Sequence, residues 1–381
     1  MKKWHTYCLM ALFGTLFAGC TDDSYVGWVE DFYDYQTQIA VQVAVGDPDA
    51  GVTKGSGVKD ELNDFAGKSI RVFAFNRNAG TNFSRDNDPL SCLIYGREAY
   101  LDGQIAYASW QNAAGENEAI FYPNGEDCYV AYDFYACFLD DLQPSGINAT
   151  ADRITYEVEI DGARDLMTSI AQHPAPIQPA DTTAKEQPDY SFSYYTAQRG
   201  IIPVFRMHHD LVRLDFEVKP GYTPGETRNV HIDSLFVKSL TRGSMTVAAK
   251  DTTQLGIVFH EEGTRSILYL SDRDGSKFQR DSIRTSATLE TVAPGRYLNG
   301  SLFVAPDGSY PLRVSLSEDE VQNGRPQHTD KVIAFEGGFQ AGHRYKISME
   351  IFGAAHVDFS VELVGWNDGG NIIWDPDPRP M

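Results

Sequence analysis

The chain has 381 residues, with 53 Asp and Glu against 32 Lys and Arg, a formal charge of −21 and 42% apolar residues. A charge of that size and sign, with no basic stripe to offset it, opposes binding to nucleic acid or anionic lipid. A length beyond about 300 residues also outgrows a single hydrophobic core and predicts two domains.

At the N-terminus Lys2 and Lys3 precede an apolar run from Leu9 to Ala18. That run falls short of the roughly 20 residues a membrane-spanning helix needs, so it reads as a secretory signal. It closes on Phe17-Ala18-Gly19-Cys20, which resembles the lipobox of bacterial lipoproteins, although Phe17 stands where Leu is usual. The resemblance implies cleavage before Cys20 and acylation of its thiol, and two or three acyl chains at about 0.8 kcal/mol per buried methylene hold a protein on a membrane. Loss of residues 1–19 takes Lys2 and Lys3 with it and moves the charge from −21 to about −23. Asp22 and Asp23 follow at once, as in the acidic export signal of Bacteroidetes surface lipoproteins.

The rest of the chain reads as strands. Period-2 or continuous β-branched and aromatic runs occur at Ile39 to Val45, Ile70 to Phe75, Ala119 to Tyr122, Tyr129 to Phe138, Arg153 to Ile160, Val204 to Val218 and Ile232 to Val237. They continue at Ser266 to Leu270, Leu302 to Val304, Leu312 to Leu316, Lys331 to Phe335, Arg344 to Ile351 and Val357 to Val364, with Gly, Pro, Asn and Asp clusters between them. The expected class is therefore all-β, built as β-sandwiches. Along LVRLDFEV, Val212, Leu214, Phe216 and Val218 are expected to face a core, and Arg213, Asp215 and Glu217 to face water. Helical turns are expected only near Asp60 to Phe65 and Ala163 to Ala171. The Pro-rich stretch 173–189 reads as a surface excursion, and KPGYTPGETRN, residues 219–229, as a linker. A domain break is placed near residue 222, giving a signal peptide over 1–19, one domain over 20–222 and a second over 223–381.

Three cysteines remain after the signal: Cys92, Cys128 and Cys137. An odd count without a CxxC pair argues against both a disulfide framework and a zinc site. Cys128 and Cys137 lie on what reads as one extended run and at about 3.3 Å per residue are too far apart to bond, whereas a bond from Cys92 to either stays open.

The order of these features resembles the fimbrillin family of Bacteroidetes, the type V pilins. It comprises the lipobox, IAVQVAV followed by Thr53-Lys54-Gly55, SIRVFAF, FYPNGEDCYVAYDFYACF, DLMTSIA, VFRMHHDLVRLDFEV, GGFQAGHRYKISMEIFG and VDFSVELVGWNDGG. In the VFRMHHDL segment, Met207 stands where the family has an aromatic. The resemblance implies two transthyretin-like sandwich domains and export to the outer membrane surface as a lipoprotein. It further implies removal of the first strand by a trypsin-like protease, and polymerisation into an adhesive fimbria with other fimbrial subunits. Carried onto this chain, the removable strand runs over Ile39, Val41, Val43 and Val45, all pointing inward, and the cut follows Lys54. The tail NIIWDPDPRPM is a second candidate for exchange, although its prolines confine it to a sheet edge.

Catalytic and metal-binding patterns are sparse. His208 and His209 are neighbours on a strand, so their rings point to opposite faces and do not readily share an ion. Asp140-Asp141 and Glu261-Glu262 sit in polar turns, WNDGGN has too few carboxylates for calcium, and GxSxG, P-loop, HExxH and GxGxxG motifs are missing. The expectation is a non-enzymatic protein with no cofactor and no metal. A competing reading is a surface lipoprotein that stacks sugars on exposed aromatics, with Trp110 in YASWQN as the candidate platform.

Overall fold

A computed structural model describes residues 36–45, 67–77, 82–84, 90–101, 106–107, 109–110, 115–172, 192–261, 265–271, 278–319 and 326–365. Cys20, Lys54, the expected helical turn at 60–65, the excursion at 173–189 and the tail beyond 365 lie outside them. The strands in chain order are β1 Gln42–Val45, β2 Ser69–Asn76, β3 Cys92–Tyr100, β4 Ala106–Tyr107, β5 Ser109–Trp110, β6 Tyr132–Phe138, β7 Gly146–Ala149, β8 Arg153–Glu159, β9 Met167–Ile170 and β10 Val204–His209. There follow β11 Val212–Pro220, β12 Asn229–Ser239, β13 Arg242–Ala249, β14 Gly256–Phe259, β15 Ser266–Tyr269, β16 Asp281–Arg284, β17 Arg296–Val304, β18 Asp307–Glu318, β19 Gln327–Phe339, β20 Arg344–Gly353 and β21 His356–Val364. One short helix, α1 Tyr194–Ala197, is started by a capping box in which Ser193 and Thr196 bond reciprocally. The all-β expectation holds.

Eight strands run in the order β4-β1-β10-β9-β6-β2-β3-β5. Because β4 and β5 are separated in the chain by residue 108 alone, the two ends of that order meet, and the sheet closes around a core. Inside lie Ile70, Val72 and Ala74 of β2, Phe134 and Ala136 of β6, and Phe205 and Met207 of β10. Successive strand residues point to opposite faces, so Phe73 and Phe75 of β2 and Tyr135 and Cys137 of β6 leave this core and enter a second one. That second core is shared with the sheet β14-β13-β8-β7 and with a sandwich of two further sheets, β17-β11-β20-β21 and β15-β12-β18-β19, with β16 also paired to β12.

Two sets of pairings cross residue 222, near which the domain break is expected. β11 lies before it, yet bonds between β17 and β20. The hairpin β13–β14 lies after it, yet β13 pairs with β8. The run from Val204 to Val218, expected as one strand, is two: the chain changes sheets at Asp210 and Leu211, where Asp210 N donates to Leu166 O. The expected helical turn over Ala163 to Ala171 is instead strand β9, drawn into the ladder between β6 and β10. Ala119 to Tyr122 contributes an isolated bridge from Phe121 to Gln38 rather than a strand.

The face of β11 expected to be wet is also corrected in part. Val212, Leu214, Phe216 and Val218 are buried as expected, but so are Arg213 and Asp215. Asp215 accepts from the Nε atoms of Arg213 and Arg344 and from Ser301 Oγ. Buried charges persist where each finds a partner of opposite sign, and this set meets that condition.

Candidate functional site

In the segment 39–45 branched aliphatic residues alternate with Ala40, Gln42 and Ala44, which in an extended chain puts Ile39, Val41 and Val43 on one face. Ile39, Val41 and Val43 are at most 1% exposed and belong to the core inside the closed sheet. Val45 pairs through its backbone with Met207, and its side chain is not among those described. β1 lies parallel to β10, in register from Gln42 with Val204 to Val45 with Met207, and on its other side meets the two-residue strand β4. It is a short closing piece in a seam.

The residues ahead of the ladder are held differently. Ile39 N donates to Ile120 O at 2.7 Å, Tyr122 N to Thr37 O at 3.0 Å, and Gln42 N to Pro203 O at 2.9 Å. Ile39 O accepts from the indole Nε1 of Trp110 at 2.8 Å. Taking this segment away would bare three aliphatic pockets, the backbone edge of β10 and the Trp110 N–H together. Tyr122 is also buried here, its hydroxyl pushed up by burial and without a hydrogen-bond partner among the described residues.

Trp110 is 1% exposed, so it offers no face to a sugar ring. Its ring packs in the core because β5 closes the sheet against β3. This removes the residue on which the sugar-stacking alternative rested.

Other polar groupings occupy structural positions. His208 is exposed, and His209 Nδ1 bonds Asp165 Oδ2 inside the protein. Asp210 accepts from Thr168 Oγ1 at 3.1 Å, and burial drives its carboxyl well above the usual range. Gly256, at φ +109°, passes so close to Asp210 that a Cβ there would sit 3.0 Å from Oδ1. Ser244 Oγ bonds both Glu157 Oε1 at 2.8 Å and His260 Nε2 at 3.0 Å. A serine triad needs the carboxylate on the other ring nitrogen, Nδ1, to orient the imidazole. Here Glu157 approaches the same Nε2 that Ser244 uses, and both partners are nearly half exposed. Among the described residues, no three His, Cys, Asp or Glu side chains are arranged to hold a metal ion. Cys92, Cys128 and Cys137 are thiols, and burial pushes that of Cys137 up to about 12. A depression of about 260 Å3 on β12, β18 and β19 is lined by Phe236, Pro311, Val332, Lys238, Lys331 and the ion pair Arg313–Asp330.

No protein-family model matches the chain, and no curated protein matches it in sequence. Among solved structures, it is similar to a candidate cell-adhesion protein of Bacteroides uniformis, at 15% identity and a TM-score of 0.48, over 88% of this chain and 99% of that one. It is also similar to a fimbrial protein of Bacteroides vulgatus, at 12% identity and a TM-score of 0.43, over 86% and 99%. The fimbrial anchor protein Mfa2 of Porphyromonas gingivalis is similar at 9% identity and a TM-score of 0.33, over 86% and 98%.

Proposed function

We propose that the chain is a subunit or accessory component of a cell-surface fimbria that supports adhesion, exported as a lipoprotein through Cys20 and assembled by strand exchange. In this reading a trypsin-like protease cuts after Lys54, the segment carrying β1 leaves, and a neighbouring copy supplies an extended strand to the vacated slot. In this reading the chain forms two domains, the first holding the slot, with β11 in the second and the β13–β14 hairpin reaching back to the first.

The observation that carries the reading is the position of the segment 39–45, which ends in β1: the side chains of Ile39, Val41 and Val43 complete a core from a seam guarded on one side by a two-residue strand. An emptied seam leaves unpaired backbone and apolar surface, which demand a replacement. Three such side chains at about 1.5–3 kcal/mol each give roughly 4–9 kcal/mol of gross burial, before the cost of ordering the incoming strand. That is enough for a durable joint.

The test is trypsin-like trimming of the purified protein, followed by electrophoresis without boiling. Ladders resistant to SDS are expected, and an added peptide of residues 36–45, which refills the slot, should suppress them, whereas the same peptide with Val41 and Val43 both changed to Asp should not. A trimmed protein that stays monomeric overturns the exchange reading, and N-terminal sequencing of protein taken from cells reports lipidation and the cut site together.

A further inference from the structure

Trp110 stands apart from the other contacts of the slot because it is a side chain doing the work of a ladder strand. Regular pairing of β1 with β10 begins at Gln42, three residues after Ile39. At Ile39 both backbone groups are nevertheless paired, N–H to Ile120 O and carbonyl to Trp110 Nε1. An indole has one donor and no acceptor, and at 1% exposure water does not replace a lost partner. A buried donor left without its acceptor is penalised more heavily than a made bond is rewarded.

We propose that Trp110 is a positioning residue of the slot, requiring of any occupant an extended backbone that continues beyond the ladder and presents a carbonyl where Ile39 presents its own. The inference rests on the reading that the slot is refilled. An occupant slipped by one residue turns its aliphatic side chains outward. One that covers only 42–45 leaves the indole N–H buried and unpaired. The fitting partner is thus a segment of a second copy at least as long as 39–45, running parallel to β10, with aliphatic side chains at its first, third and fifth positions.

The experiment uses the full chain with a specific protease site inserted after Gly51, cut while the first segment stays seated. Exchange of that segment against a labelled peptide of residues 36–45 is followed for the parent, for Trp110→Phe, and for a version carrying benzothienylalanine at 110, which keeps the ring shape and lacks the N–H. The peptide is made with its normal backbone and with a thioamide, a weaker acceptor, at Ile39. Removing the donor or weakening the acceptor should each reduce peptide affinity about tenfold, and the two together should reduce it no further, the mark of one shared bond. A merely structural tryptophan would show no such coupling. Unchanged affinity in both 110 variants, or losses that multiply, overturns the role of Trp110 while leaving exchange intact. Failure of the unmodified peptide to exchange into the parent overturns the refilling reading, and this inference with it.

Discussion

β1 and β11 look alike as sequence and differ in what the fold asks of them. In the segment 39–45 that contains β1, Ile39, Val41 and Val43 are buried, as Val212, Leu214, Phe216 and Val218 are in β11, and each strand lies parallel to a neighbour, β1 to β10 and β11 to β20. β11 has long partners on both sides and carries a buried ion-pair set through Asp215 to Arg344 on the adjacent strand. β1 has four ladder residues on one side and two on the other. Alternation therefore predicts burial and says nothing about detachability, which depends on how much of the surrounding sheet survives the strand's departure.

The comparison breaks most visibly at Asp215. Asp215→Ala removes the acceptor of two buried guanidinium groups, and equilibrium denaturation should show a loss of about 3–5 kcal/mol. A loss below about 1 kcal/mol would mean that β11 is no more firmly fixed than β1. Next in size, Ile39→Ala and Leu214→Ala each delete a buried aliphatic side chain, worth about 2–5 kcal/mol in most cores. The first should appear mainly as faster release of the nicked first segment, the second as lower stability of the whole protein. Equal release rates in the two variants would erase the distinction.

The smallest effect concerns the crossing between the two regions. Burial raises the Asp210 carboxyl, so the folded protein holds a proton that the unfolded chain gives up at ordinary carboxylate pH. The contribution is fully present below the unfolded value and is lost as pH rises towards the folded one. Asp210→Asn should therefore flatten the decline in stability above about pH 4 and leave the variant relatively more stable at neutral pH. Parallel pH-stability curves for parent and variant would contradict the burial of that charge.

Much of the candidate site was legible in the segment itself. Alternation placed Ile39, Val41 and Val43 inward because an extended chain allows only two faces. The signal for Trp110 was not in its neighbourhood: YASWQN reads as a polar loop, and the partner that buries it is 71 residues away in sequence. In VFRMHHDLVRLDFEV, by contrast, the apolar positions shift from Phe205 and Met207 to Val212, Leu214, Phe216 and Val218 across the polar His208-His209-Asp210, a change of phase that coincides with the change of sheet. The helical pattern seen over Ala163 to Ala171 yielded to the open ladder between β6 and β10, and the two-residue strands β4 and β5 are too short for any periodicity to register.

Local chemistry, then, settled by itself that this chain is built of strands, where most of its long strands lie, and which of their side chains turn inward, because those follow from steric alternation and hydrophobicity over a few residues. Tertiary structure alone decided that the first sheet closes on itself, that β13 and β14 reach back to β7 and β8, and that Arg213 and Asp215 are buried as partners. Each of these depends on contacts between residues far apart in the chain, and no short window of sequence contains both members of such a pair.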